Sequence, residues 1–136
     1  MGDKSKIIVV GKVKASIPLN SEVIKKIDLE KLYKHRYACE ARNDALIVLH
    51  YRGKKYAIII EDTGVPSTDD INRLADMPKE LRSKGLIDPN ALIMRILHHC
   101  GIHSLLVAMA RSYRIELQEC TNRPVDIGLI LRRRKL

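Results

Sequence analysis

Two acidic residues, Asp44 and Glu61, bracket a hairpin signal. Residues 44–51 and 55–60 are apolar on both faces, and Arg52-Gly53-Lys54 between them reads as a tight turn with glycine for a positive φ. If the loop is Arg52-Gly53, Asp44 stands directly opposite Glu61; if it is Gly53-Lys54, Asp44 faces Thr63 instead. Directly opposed side chains lie about 4.5–5.5 Å apart at Cβ. Two carboxylates that close repel unless a cation or a shared proton lies between them. A divalent metal, magnesium or manganese, is the natural cation, since it favours hard oxygen ligands. Asp44 and Glu61 are therefore candidate metal ligands and catalytic residues. Five acids and one base, Arg73, fall between Glu61 and Asp76 in an otherwise basic chain. Asp69 and Asp70 among them suit the first turn of a helix.

A second cluster is His98, His99, Cys100 and His103, which has the residue types of a zinc site. Gly101 argues against the continuous helix that would align His99 with His103, and Cys100 falls on an apolar stripe. Basic groups gather in three further places. Lys4, Lys6, Lys12 and Lys14 line the first strand; Arg52, Lys54 and Lys55 sit at the hairpin tip between Tyr51 and Tyr56; Arg132, Arg133, Arg134 and Lys135 form a tail. Cations beside tyrosines at a hairpin tip suit a phosphate backbone and a stacked base. Lys12, Lys14, Arg52, Lys54, Lys55 and the four tail cations are the candidate nucleic-acid contacts.

An acid opening one strand, a hairpin, and then Ile58-Ile59-Ile60-Glu61-Asp62-Thr63 resembles the restriction-endonuclease-like (PD-(D/E)XK) nuclease core. The resemblance covers residues 40–63. It implies that Asp44 and Glu61 bind magnesium, with Glu40 as the helical glutamate of some members. Thr63 stands where the family has the lysine that helps activate water. Lys55 faces the same side as Glu61 but lies six residues along the strand.

These residues need elements to hold them. The chain has 136 residues, 46% hydrophobic and 30% charged, which is a globular balance and a single-domain length. No apolar run approaches the roughly 18 residues of a membrane span. Phe and Trp are absent, so the core falls to Ile, Leu, Val, Ala and Met; with abundant Lys, Arg and Glu this suggests a hyperthermophilic archaeon or its virus. Three cysteines, Cys39, Cys100 and Cys120, lack any C-x-x-C spacing and read as reduced thiols of a cytoplasmic protein, in the host cytoplasm if viral, with a Cys39–Cys120 or Cys100–Cys120 bridge as the alternative.

The spacing predicts a strand over 6–17 with a bulge at Gly11, then a helix from the Asn20-Ser21 cap to about Cys39. The two hairpin strands follow. Ser67 caps a helix that Pro78 interrupts and Gly85 closes. Asp88-Pro89 opens a helix running to Cys100. Residues 103–110, 112–119 and 125–131 read as strands, with 112–119 at an edge because its two faces alternate cleanly. The expectation is an α+β sandwich: a mixed or mostly antiparallel sheet of five to six strands with two to four helices, in the order β-α-β-β-α-α-β-β-β. Residues 1–131 form one domain and 132–136 a basic tail.

A net charge of +9 favours anionic partners. The first functional reading is a non-enzymatic nucleic-acid-binding protein making non-specific backbone contacts, with no cofactor. The second is a metal-dependent nuclease. The third is a structural or protein-interaction homodimer joined through strand 112–119.

Overall fold

Arg52 and Gly53 both lie in the left-handed region, at φ 50° and 77°, and this two-residue turn sets the register of the strands around it. The computed structural model describes residues 4–32, 43–121 and 123–133. In chain order the elements are β1 (Ser5–Val10), β2 (Val13–Pro18), β3 (Glu22–Asp28), α1 (Leu29–Leu32), β4 (Asn43–Tyr51), β5 (Lys54–Asp62), α2 (Thr68–Ser83), β6 (Leu92–His99), α3 (Ser104–Ser112), β7 (Ile115–Glu119), β8 (Val125–Asp126) and α4 (Ile127–Arg133). The fold is α+β, as expected.

Five strands form a mixed sheet in the order β3-β4-β5-β6-β7, in which β4 runs against its neighbours and β5, β6 and β7 are parallel. The hairpin strands β4 and β5 lie inside it and bury both faces. On one face Ala45, Ile47, Leu49, Ile58 and Ile60 pack against Val13, Ala15 and Ile17 of β2 and Ile127, Ile130 and Leu131 of α4. On the other, Leu46, Val48, Ala57 and Ile59 pack against Ile71, Leu74, Met77 and Leu81 of α2 and Ala110 of α3. A smaller sheet, β1-β2-β8, thus covers one side and helices cover the other. Neither strand of the hairpin could keep these side chains unless both covers were present.

Several expectations of element type give way. Residues 6–17 are two strands, not one: Gly11 at φ 60° turns the chain back on itself, and a Cβ there would collide with the Asp28 carboxylate. The expected helix from Asn20 is instead β3 followed by the single turn α1. Ser21 closes the turn before it, its hydroxyl donating to the Pro18 carbonyl at 2.6 Å; the rest of that helix falls on residues 33–42, outside the described ones. The helix expected after Asp88-Pro89 is strand β6. Its run Leu92-Ile93-Met94 and Ile96-Leu97 is apolar at almost every position, which suits a central strand as well as a buried helix, and pairing with β5 decides for the strand. The reverse error falls on 103–110, which forms α3; its Leu105-Leu106-Val107-Ala108-Met109-Ala110 has no period of two. Pro78 does not interrupt α2, which runs on through it. Residues 125–131 are a two-residue bridge and α4, capped by the Asp126 carboxylate accepting from the Leu129 amide at 2.9 Å. Arg132 and Arg133 form the last turn of that helix.

Other signals hold. Ser67 and Asp70 make the expected capping box on α2. Gly85 at φ 74° closes that helix, with the Leu86 amide donating to the Leu81 carbonyl at 2.9 Å. Strand β7 lies at the sheet edge. Among the described residues, no helix is long and apolar enough to cross a membrane.

Cys100 and Cys120 are joined in a disulfide, with Cα atoms 5.1 Å apart. The reading of reduced thiols is overturned for this pair, because the parallel register sets His99 beside Glu119 and so brings the next residues together. Closing a 20-residue separation is worth about 3 kcal/mol in chain entropy. Replacing Cys120 by serine is expected to lower the guanidinium unfolding free energy by about that much, with no further loss on adding reductant.

Candidate functional site

The two-residue turn fixes the register so that Asp44 pairs directly with Glu61. The alternative pairing with Thr63 does not occur. Side-chain alternation puts both acids on the face that carries Leu46, Ala57 and Ile59, under α2. Both are buried, at 8% and 3% exposure. The cation that such a pair demands comes from the protein itself. Arg73 on α2 donates through Nη2 to Glu61 Oε1, and at 3.1 Å to Asp70 Oδ1. Asp70 is also the capping-box residue, accepting from the Ser67 amide at 2.7 Å. The helix start, the guanidinium and the sheet carboxylate therefore form one chain of charge-assisted bonds.

The neighbouring residues fill in this end of the sheet. Asp62 points to the opposite face and meets His98, Oδ1 to Nδ1, at 3.1 Å. Thr63, at the lysine position of the nuclease resemblance, extends the parallel ladder by donating its amide to the His98 carbonyl at 3.0 Å. Lys55 does not approach Glu61; it sits at the far end of β5 and pairs with Asp88 at 2.5 Å, which lowers the Asp88 carboxyl pKa. Glu40 lies outside the described residues. His99 shares the face of Leu97 and Glu61 and is buried. Burial depresses its pKa, the Glu119 carboxylate opposes this, and His98 adds to the lowering.

The zinc reading fails on geometry. His98 and His99 point to opposite faces of β6, Cys100 is spent in the disulfide, and His103 caps α3 by accepting from the Leu105 amide at 3.2 Å. Among the described residues no group of three or more His, Cys, Asp or Glu is arranged to hold a metal ion.

The basic residues divide. Arg52 at the hairpin tip and Arg132 on α4 meet Lys4 around a groove of about 410 Å³, together with Leu19, Asn20 and Tyr51. The Arg52 guanidinium lies over the Tyr51 ring, 5.1 Å from its centroid. Tyr51 and Tyr56 belong to the core, at 6% and 8% exposure, so neither is the base-stacking platform the hairpin suggested. Lys12 and Lys14 are exposed on the β1–β2 hairpin; Lys12 lies six residues before Pro18, about 20 Å along the strand and away from the groove. Lys54 is exposed at the start of β5. Arg133 reaches Glu116 at 3.7 Å. Arg134 and Lys135 fall outside the described residues. Lys4, Leu19 and Asn20 were not among the expected site residues; Lys4 stood out only as one of the lysines of the first strand, because the groove exists only where three distant segments converge.

The acid pair and the groove occupy opposite ends of one hairpin. Eight residues separate Asp44 from Arg52, about 26 Å of strand. Comparison with protein-family models, curated proteins and solved structures finds no match for this chain.

Arg73→Met removes the guanidinium that bridges Glu61 and Asp70, and is expected to cost about 3 kcal/mol or more in denaturant unfolding. A loss under about 1 kcal/mol would be that of a surface pair and would contradict the buried-cation account. His99 gives a pH test. Its folded pKa lies below the ordinary 6.5, so the unfolded chain takes up the proton first as pH falls. The stability contribution is complete above 6.5 and declines below it. The melting temperature should fall as pH is lowered through that value, and fall less steeply in His99→Gln.

Proposed function

We propose that this protein binds the phosphate backbone of nucleic acid without cleaving it. The convergence of Lys4, Arg52 and Arg132 on one groove supports this reading. These three basic residues come from three distant segments of a molecule whose net charge is +9. Such a site favours an anionic polymer, whose counterions are released on binding. Phosphate contacts of this kind hold a strand in place without reading its sequence.

The second reading, metal-dependent phosphodiester cleavage, is favoured by one observation: Asp44 and Glu61 are buried and directly opposed at the end of the hairpin. Under it these two carboxylates would hold magnesium or manganese, which would polarise the phosphodiester. Arg73 already engages Glu61, and Thr63 supplies no amine, so the residues present fit such a metal incompletely. The distance of the acid pair from the basic groove also weighs against it.

The test is a native gel with labelled single- and double-stranded DNA and RNA, run in EDTA and in manganese. A shift in EDTA without cleavage in manganese is expected. Affinity should drop steeply between about 50 and 200 mM salt, and Arg52→Asn should shallow the slope by about one phosphate contact. Asparagine tolerates the left-handed turn, so that variant removes the charge and keeps the hairpin. Binding that ignores salt would refute the proposal. Cleavage in manganese that disappears in Glu61→Gln would establish the second reading instead.

A further inference from the structure

We infer that the cleft between edge strand β3 and the connection from α2 to β6 binds a small organic anion, a monocarboxylate with an aliphatic chain. Its lining is separate from that of the basic groove, so the site stands whether or not nucleic acid binds.

The backbone of β3 supplies the first observation. Val23 pairs with Leu49 and then Lys25 with Val48, so Ile24 is an extra residue, a β-bulge. Val23 packs toward the small sheet. Strict alternation from Val23 would send Ile24 under α2 and turn Lys25 away from it. The bulge instead sets Lys25 beside Val48, on the face that α2 covers. Ile24 stays 44% exposed in the lining of the cleft. A half-buried ammonium thus stands over apolar surface, where desolvation is costly unless acceptors offset it. The Leu86 carbonyl accepts from Lys25 Nζ at 3.2 Å, which uses one of its three donors.

The second observation is what surrounds that ammonium. The cleft has a volume of about 430 Å³, in the lower part of the roughly 300–1,000 Å³ of small-molecule pockets. Its walls are aliphatic: Val48 and Ile87 are buried, Leu86 is half-buried, and Ile24 and Pro89 flank them. Arg82 shares this lining with Lys25 and donates to the Ala91 carbonyl at 3.3 Å. A carbonyl accepts a hydrogen bond without cancelling the charge, and both cations have donors beyond the one each spends there. Lys55, also in the lining, differs because it is paired with Asp88. Two positive charges beside aliphatic walls fit one anionic head on an aliphatic body. A carboxylate has two oxygens to accept charge-assisted bonds from them. Among the described lining residues no aromatic ring is present to stack a base, which favours a carboxylate with a chain over a nucleotide.

Isothermal titration calorimetry with the full chain tests this, using acetate, hexanoate, octanoate and 1-octanol. Octanoate is expected to bind about tenfold or more tighter than octanol, the worth of a charge-assisted hydrogen bond. From hexanoate to octanoate the affinity should rise about fourfold for each methylene buried. Lys25→Met keeps the stem and removes the ammonium, and should weaken octanoate about tenfold. Ile24→Glu sets a like charge in the lining at an exposed position, so it should weaken octanoate comparably while octanol changes little, with circular dichroism showing the fold intact. Octanoate bound no tighter than acetate overturns the aliphatic half of the inference, and octanoate bound no tighter than octanol overturns the anionic half. Affinity unchanged in both variants puts the ligand elsewhere and overturns the site. Absence of saturable binding overturns the whole.

Discussion

The β4–β5 hairpin carries apolar side chains on both faces, and neither face can be left in water. Its strands hold Ala45, Ile47, Leu49, Ile58 and Ile60 on one side and Leu46, Val48, Ala57 and Ile59 on the other, nearly all fully buried. At about 25 cal/mol for each square ångström of apolar surface, covering both sides outweighs any local preference of the flanking segments. That demand draws the small sheet and α4 over one face and α2 and α3 over the other. It explains why a chain without Phe or Trp still closes a core: branched aliphatic side chains interdigitate in layers, and the hairpin supplies the middle one.

The same hairpin sets the electrostatics of the molecule. Its turn places a cation at one end, and its register sets two acids against each other at the opposite end. The acids lie beneath α2, where Arg73 pairs with Glu61. The cations lie where the first strand and the last helix arrive together. One end is thus closed by an internal counter-charge, and the other carries the basic residues of the groove.

Much of the central structure was legible in the residues. The glycine turn, the acid pairing, the capping box at Ser67 and Asp70, the Gly85 stop and the alternation in 112–119 each depend on neighbours in sequence or on strand register. The errors share a physical cause. Residues 92–97 and 105–110 are apolar runs whose length and composition suit either a buried strand or a helix, and only pairing with β5 and packing under the sheet decide between them. Residues 22–28 carry helical spacing as well as branched side chains, and the open edge of β4 claimed them. The groove was invisible because Lys4, Arg52 and Arg132 are neighbours only after folding. Arg73, the single base in an acidic stretch, was noticed for its isolation; its role required knowing that α2 lies across Glu61.

The disulfide has a topological consequence. Strand β7 is an edge strand, and an edge presents unpaired amides and carbonyls that a second chain could adopt. Cys120 follows β7 directly and is tied to Cys100 at the end of β6. Helix α3 and strand β7 therefore lie within one covalent ring anchored to the sheet. While the bridge is intact, β7 cannot peel away from β6 to trade places with its counterpart in another molecule. The bridge acts as a guard against domain swapping at this margin of the large sheet.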